Sequence, residues 1–105
     1  MFQGIIWALI VGFTPFTLLG KDHIVTQKGK QFSQTDLQIA PGDTIVFKND
    51  DDTIHNVFTA SEAIKFNLGV QKAGTELRRE FATAGEAEIR CAIHPKMKLK
   101  IVVKK

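Results

Sequence analysis

The sequence predicts an all-β body folded as a two-sheet sandwich, preceded by a short apolar segment. Three observations carry that expectation: seven short runs with period-two alternation, clusters of Gly, Pro, Asp and Asn between them, and no amphipathic stretch long enough for the helical crossovers of an α/β fold. The chain has 105 residues, and its first twenty hold no charged side chain, so all 14 Lys and Arg, all 11 Asp and Glu and the net charge of +3 fall on residues 21–105. A body of that size is one small domain. Small domains bury a lower fraction of their surface than large ones, so a bound metal would add useful stability.

The opening run from Ile5 to Leu19 is apolar over about fifteen residues, short of the roughly twenty that a spanning helix needs. Residues 1–20 read as an export signal, with Pro15 breaking any helix and Gly20 a small residue ahead of a cut before Lys21. An uncleaved anchor is the competing reading, because the amino end lacks Lys and Arg, and the protein meets a membrane only in that case. Either way residues 21–105 leave the cytoplasm for the periplasm or a similar exported compartment. In such an oxidising place a lone thiol, Cys91, risks pairing between molecules unless something such as a metal occupies it.

The first predicted strand runs from His23 to Lys28 and the second from Leu37 to Ala40. Pro41, Gly42 and Asp43 mark a turn into a strand from Thr44 to Asn49, and Asn49 to Asp52 make a polar turn, with a local negative field, before a strand from His55 to Ala60. From Ser61 to Gly74 the pattern dissolves: Ser61 to Lys65 suits one helical turn and the rest reads as loop. Strands resume from Glu76 to Phe81, then from Glu86 to Ile93 and from Leu99 to Lys104 after the turn at Ala84 to Glu86. In the last strand Leu99, Ile101 and Val103 alternate with Lys98, Lys100, Val102 and Lys104, which gives one apolar and one mainly wet face. In the strand before it, Ile89, Cys91 and Ile93 share the inward row opposite Arg90 and Ala92.

Between those last two strands lies Cys91-Ala-Ile-His94-Pro-Lys-Met97, with a thiolate, an imidazole and a thioether at i, i+3 and i+6. Two His, one Cys and a weak axial Met make the blue-copper electron-transfer site, and His55 supplies the second imidazole from an earlier strand. Taken singly, Cys91 and Met97 suit core filling and His94 a surface loop; their joint spacing points to a metal. A zinc site would need Cys91, His94, His55 and one of Asp50, Asp51 or Asp52, and it would leave Met97 unused. Haem attachment is excluded by the missing Cys-x-x-Cys-His, and a thiol protease by the inward Cys91. The remaining histidine, His23, reads as structural or solvated. The lysines of the C-terminal strand have no stacking aromatics beside them, so they read as solvated faces and not as a nucleic-acid surface.

The body resembles the cupredoxins, the type 1 blue copper proteins, and especially their amicyanin- and plastocyanin-like branch. The likeness spans nearly all of residues 22–104 and rests on the Pro41-Gly-Asp-Thr turn leading to Val46-Phe47, on His55-Asn56-Val57, and on the loop from Cys91 to Met97. It implies a Greek-key sandwich holding one copper ion that cycles between Cu(I) and Cu(II). The implied ligands are His55, Cys91, His94 and Met97, with Asn56 tying the two ligand loops together. It also implies an electron carrier and not an enzyme, a monomer working between a redox donor and acceptor, with His94 as the exposed ligand. Pro95, Lys96 and Lys98 lie on the rim around His94, where Lys96 and Lys98 favour acidic redox partners. The chain departs from the pattern in having no Tyr before the Cys, Ile54 in place of a Pro, and Leu99 in place of a Gly. None of these removes a ligand. A copper-delivery protein and a metal-free adhesion sandwich are the rival readings.

Overall fold

The computed structural model describes residues 20–105; residues 1–19 of the predicted leader, residues 1–20, lie outside them. Nine strands follow in order: β1 (Asp22–Lys28), β2 (Gln31–Phe32), β3 (Asp36–Ile39), β4 (Asp43–Asn49), β5 (His55–Thr59), β6 (Phe66–Gln71), β7 (Glu76–Phe81), β8 (Gly85–Arg90) and β9 (Lys98–Val103). They form two sheets, one ordered β2-β1-β4-β7 and the other β3-β9-β8-β5-β6, and no helix occurs among the described residues. This is the all-β, two-sheet sandwich that the sequence predicts.

The alternation read from the sequence is what builds each sheet face. In β9, Leu99, Ile101 and Val103 are buried while Lys98 and Lys100 are exposed, and β9 pairs antiparallel with β8 along its whole length. β4 is an interior strand of its sheet: it runs parallel to β1 and antiparallel to β7, with Ile45 and Phe47 fully buried. Its β-branched and aromatic residues suit a pleated surface packed on both flanks. One core cluster joins the two sheets; Val25, Ile45 and Phe47 meet Val57, Ile89, Leu99 and Ile101, and Cys91 and Met97 belong to the same cluster.

Four details differ from the sequence reading. Residues Phe66–Gln71, expected as loop, form β6, an edge strand paired with β5 across a register shift between Asn56 and Phe58. Phe66 and Leu68 pack against the core, but the shift puts Val70 at 65% exposure and buries Gln71, so the alternation breaks midway. The expected helical turn at Ser61 to Lys65 is a single non-helical turn closed by the Ile64 amide on the Ser61 carbonyl at 3.2 Å. β2 was not foreseen; it is two residues long and joined to β1 by a two-residue turn in which Gly29 and Lys30 both have positive φ, 64° and 56°. Finally, β8 ends at Arg90, so Ile93 leaves the inward row and stands 42% exposed.

Strand direction sets up two poles. The ends of β1, β4 and β8 and the starts of β5 and β9 meet at one. At the other, His23 Nε2 bonds Asp43 Oδ2 at 2.8 Å, while the Asp43 carboxylate also accepts from the amides of Lys21 and Ala40 at 3.0 Å each. His23 is therefore a structural residue. The Ala40 amide first, then His23 and the Lys21 amide, hold the Asp43 carboxyl at about 2.

Candidate metal centre

At the first pole, β5 begins with His55, whose side chain is fully buried, and the loop between β8 and β9 carries Cys91, His94 and Met97. Cys91 Sγ lies 3.9 Å from His55 Nδ1 and 3.6 Å from His94 Nδ1. The three donor atoms all fall within 4.8 Å of one another, and the two imidazoles face each other edge on, 4.9 Å between centroids. With metal–nitrogen bonds of about 2.0 Å and metal–sulfur bonds of about 2.3 Å spread at 120°, the N···S separation should be about 3.7 Å. The two observed spacings bracket that value, so Cys91 stands at coordinating separation from both imidazoles.

Three of the four are inner members of the set. His55 is fully buried, Cys91 1% exposed and Met97 2%, whereas His94 is half-buried. The Met97 amide donates to the His94 carbonyl at 2.9 Å, which closes the loop and returns the chain to the core just ahead of β9. Burial, then the neighbouring His55 and Lys30, lower the His94 pKa, keeping its ring neutral and free to donate a lone pair.

Asn56 joins the two ligand-bearing segments twice. Its backbone amide donates to Cys91 Sγ at 3.3 Å, and its side-chain oxygen accepts from the Ala92 amide at 3.1 Å. Its Nδ2 donates to Asn67 Oδ1 and the Gly69 carbonyl, which ties the pair to β6. From the other side, Arg90 donates to the Pro95 carbonyl at 3.0 Å, bracing the ligand loop.

The sequence placed a negative field near His55 and offered Asp51 only as one of three alternative zinc donors, not as the partner of His55. Asp51 Oδ2 lies 2.8 Å from His55 Nε2, and the same carboxylate accepts from the amides of Gly29 at 2.8 Å and Lys30 at 2.9 Å. Burial alone would raise the Asp51 carboxyl; the Lys30 amide, the His55 ring and the Gly29 amide overcome it and hold it at about 2. An ionised Asp51 takes the Nε2–H of His55 and leaves Nδ1 for the metal, the arrangement that commonly orients metal-bound imidazoles. Asp51 therefore sits behind the ligand and is not among the convergent donors, and neither Asp50 nor Asp52 joins His55, Cys91 and His94 as the zinc alternative requires. Asp51 stands four residues before His55, the one signal that would have singled it out.

Pro95, Lys96 and Lys98 are all exposed, on or just after the ligand loop. Pro95 and Lys96 line a recess of about 280 Å³ with Lys30, Ile93 and His94. Lys30 was not foreseen in this place; it arrives from the β1–β2 turn.

The family model for copper binding proteins of the plastocyanin/azurin family matches residues 21–104. A methylamine utilization protein, MauL of Methylophilus methylotrophus, is 32% identical over 84 residues, which are 77% of this chain and 48% of the relative. The chain thus spans about half the length of that curated relative. Among solved structures, a methionine-to-alanine variant of amicyanin in its Cu(I) form aligns with a TM-score of 0.74 at 22% identity, covering 79% of this chain and 82% of that one. A purple cupredoxin from Nitrosopumilus maritimus aligns at 0.70 and 22% identity, covering 79% and 100%. A copper-containing nitrite reductase from Thermus scotoductus aligns at 0.75 and 25% identity, covering 88% of this chain but 24% of the enzyme.

Proposed function

Because the chain belongs to the plastocyanin/azurin family of copper-binding proteins, we propose that it carries single electrons between redox proteins through one copper ion held by His55, Cys91, His94 and Met97. The observation that carries this reading is the convergence of His55 Nδ1, Cys91 Sγ and His94 Nδ1 within 4.8 Å on a rigid end of the sandwich. Copper bound there supplies a one-electron couple between Cu(I) and Cu(II).

The chain's own residues do the rest. Holding copper would displace the Cys91 thiol proton, which links metal affinity to pH. His55 is fixed by Asp51, and Met97, buried in the same core cluster as Cys91, would hold the copper as a weak thioether donor. Because these groups are locked by the core and by hydrogen bonds, the ligand shell needs little movement when the charge on the metal changes. His94 is the accessible ligand, and electrons pass through it to partners seated on Pro95, Lys96 and Lys98. Lys96 and Lys98 make those partners acidic proteins. Four protein donors leave no open position for a substrate, so the protein is a carrier and not an enzyme.

A delivery protein would need exchangeable ligands, whereas Cys91 and Met97 are 1% and 2% exposed. The apolar residues 1–20 support an exported, periplasmic body, tethered to the membrane if that segment is retained; the carrier reading takes it as a monomer. Voltammetry of the copper-loaded protein in the presence of a modest chelator tests the reading. A reversible one-electron wave with metal retained supports the carrier, and rapid loss of copper to the chelator supports delivery instead.

A further inference from the structure

A groove of about 510 Å³ runs between the β1–β2 turn and the end of the ligand loop, lined by Lys30, Gln31, Phe32, Lys96, Met97 and Lys98. Phe32 and Met97, both buried, form its apolar floor, and three lysines from two separate segments stand on its walls. Lys30 and Lys96 also line the recess at His94, so the groove opens beside the accessible ligand. None of the three lysines makes an ion pair with a described residue, although Lys48 and Lys100 elsewhere do.

Lys30 holds a place that favours glycine. Its φ of 56° lies in the left-handed region, which L side chains rarely adopt, and the Asp51 carboxylate pins the turn through the Gly29 and Lys30 amides. A charged residue thus occupies a strained turn position on the wall of a groove that two other unpaired lysines also line.

We propose that this groove docks a carboxylate-rich segment of an acidic protein partner, gripped by Lys30, Lys96 and Lys98. The proposal rests on the electron-carrier reading for the partner's purpose, and it adds the β1–β2 turn to the binding surface. Lysines act as mobile point charges without the planar fork of arginine, which suits brief exchangeable contacts with single carboxylates. The apolar floor takes the stems of the partner's side chains. Asp51 bonds both the Lys30 turn and His55, so the partner's grip and the metal ligand are held by one carboxylate.

The test uses the Cu(I)-loaded full chain, amide shift mapping at low salt, and a hexaglutamate peptide as probe, with a hexalysine peptide and inorganic triphosphate as controls. Hexaglutamate should shift the amides of residues 29–32 and 96–98. Lys30→Glu and Lys98→Glu should each weaken it about fivefold, and Lys30→Gln by less, as expected for exposed charge pairs. Lys104→Glu makes the same charge change at the other pole and should leave binding within about twofold. Shifts scattered over the surface, equal weakening by Lys104→Glu, or triphosphate binding without peptide binding would overturn the proposal. These outcomes are read without electron transfer, so loss of the voltammetric wave would sink the carrier reading and leave the docking result standing on its own.

Discussion

Truncating Asp51 should loosen the fold and the metal centre together. In Asp51→Ala the His55 Nε2–H, on a side chain with no exposure, loses its acceptor, and the Gly29 and Lys30 amides lose theirs. An orphaned buried donor costs about 1–3 kcal/mol, and the two exposed amides turn to water at about 0.5 kcal/mol each, so the metal-free protein should lose about 2–4 kcal/mol. That is a large part of the roughly 5–15 kcal/mol that holds a small domain together. Copper affinity should fall about 10- to 100-fold, because His55 is then free to swing and to present the wrong nitrogen. Asp51→Asn keeps one oxygen and should fall between the two proteins. Urea unfolding of the metal-free chain and competitive copper titration measure both quantities. A change under about 0.5 kcal/mol with unaltered affinity would show that the carboxylate neither supports the turn nor orients the ligand.

Three further outcomes are expected. Gln27 is fully buried with neither side-chain amide atom bonded to a described protein group, so Gln27→Met, which conserves volume, should raise stability by about 1–2 kcal/mol in urea unfolding; a loss would show that the amide has an essential partner. Asp43 has a folded pKa of about 2 against an ordinary 3.8, so its contribution is complete above pH 4 and lost as pH falls towards 2. The melting temperature of wild type should drop across that window, and Asp43→Asn should flatten the drop. Met97→Leu should keep the thiolate band of the copper protein and raise its reduction potential, since a weak donor that favours Cu(II) is removed; an unchanged potential would take Met97 out of the site.

Much of the fold was legible because both strands of the C-terminal hairpin, β8 and β9, alternate cleanly. Lys98 to Val103 declares its two faces residue by residue, and Cys91 follows the inward row of β8 directly. What escaped was set by tertiary context. Phe66 and Leu68 do alternate, but Gly69 and the bulge opposite Val57 interrupt the period, and an edge strand needs little burial to persist. β2 is too short to have a period at all, and only the Gly29 turn advertises it. Ile93 was read inward by extending the β8 row past Arg90, where the ligand loop has already turned away. The donor residues were visible as rare types at tight spacing, whereas Asp51 and Lys30 were not. Their importance arises from a carboxylate that spans two turns distant in sequence, Gly29–Lys30 and Asp51–His55.

The most direct test of the account is to add one equivalent of Cu(II) to residues 21–105 and record the visible spectrum beside that of Cys91→Ser. An intense thiolate-to-copper band that saturates at one ion per chain and vanishes in the serine variant is the predicted result. A folded protein that binds copper without that band, binds none, or keeps the band without Cys91 would contradict the site described.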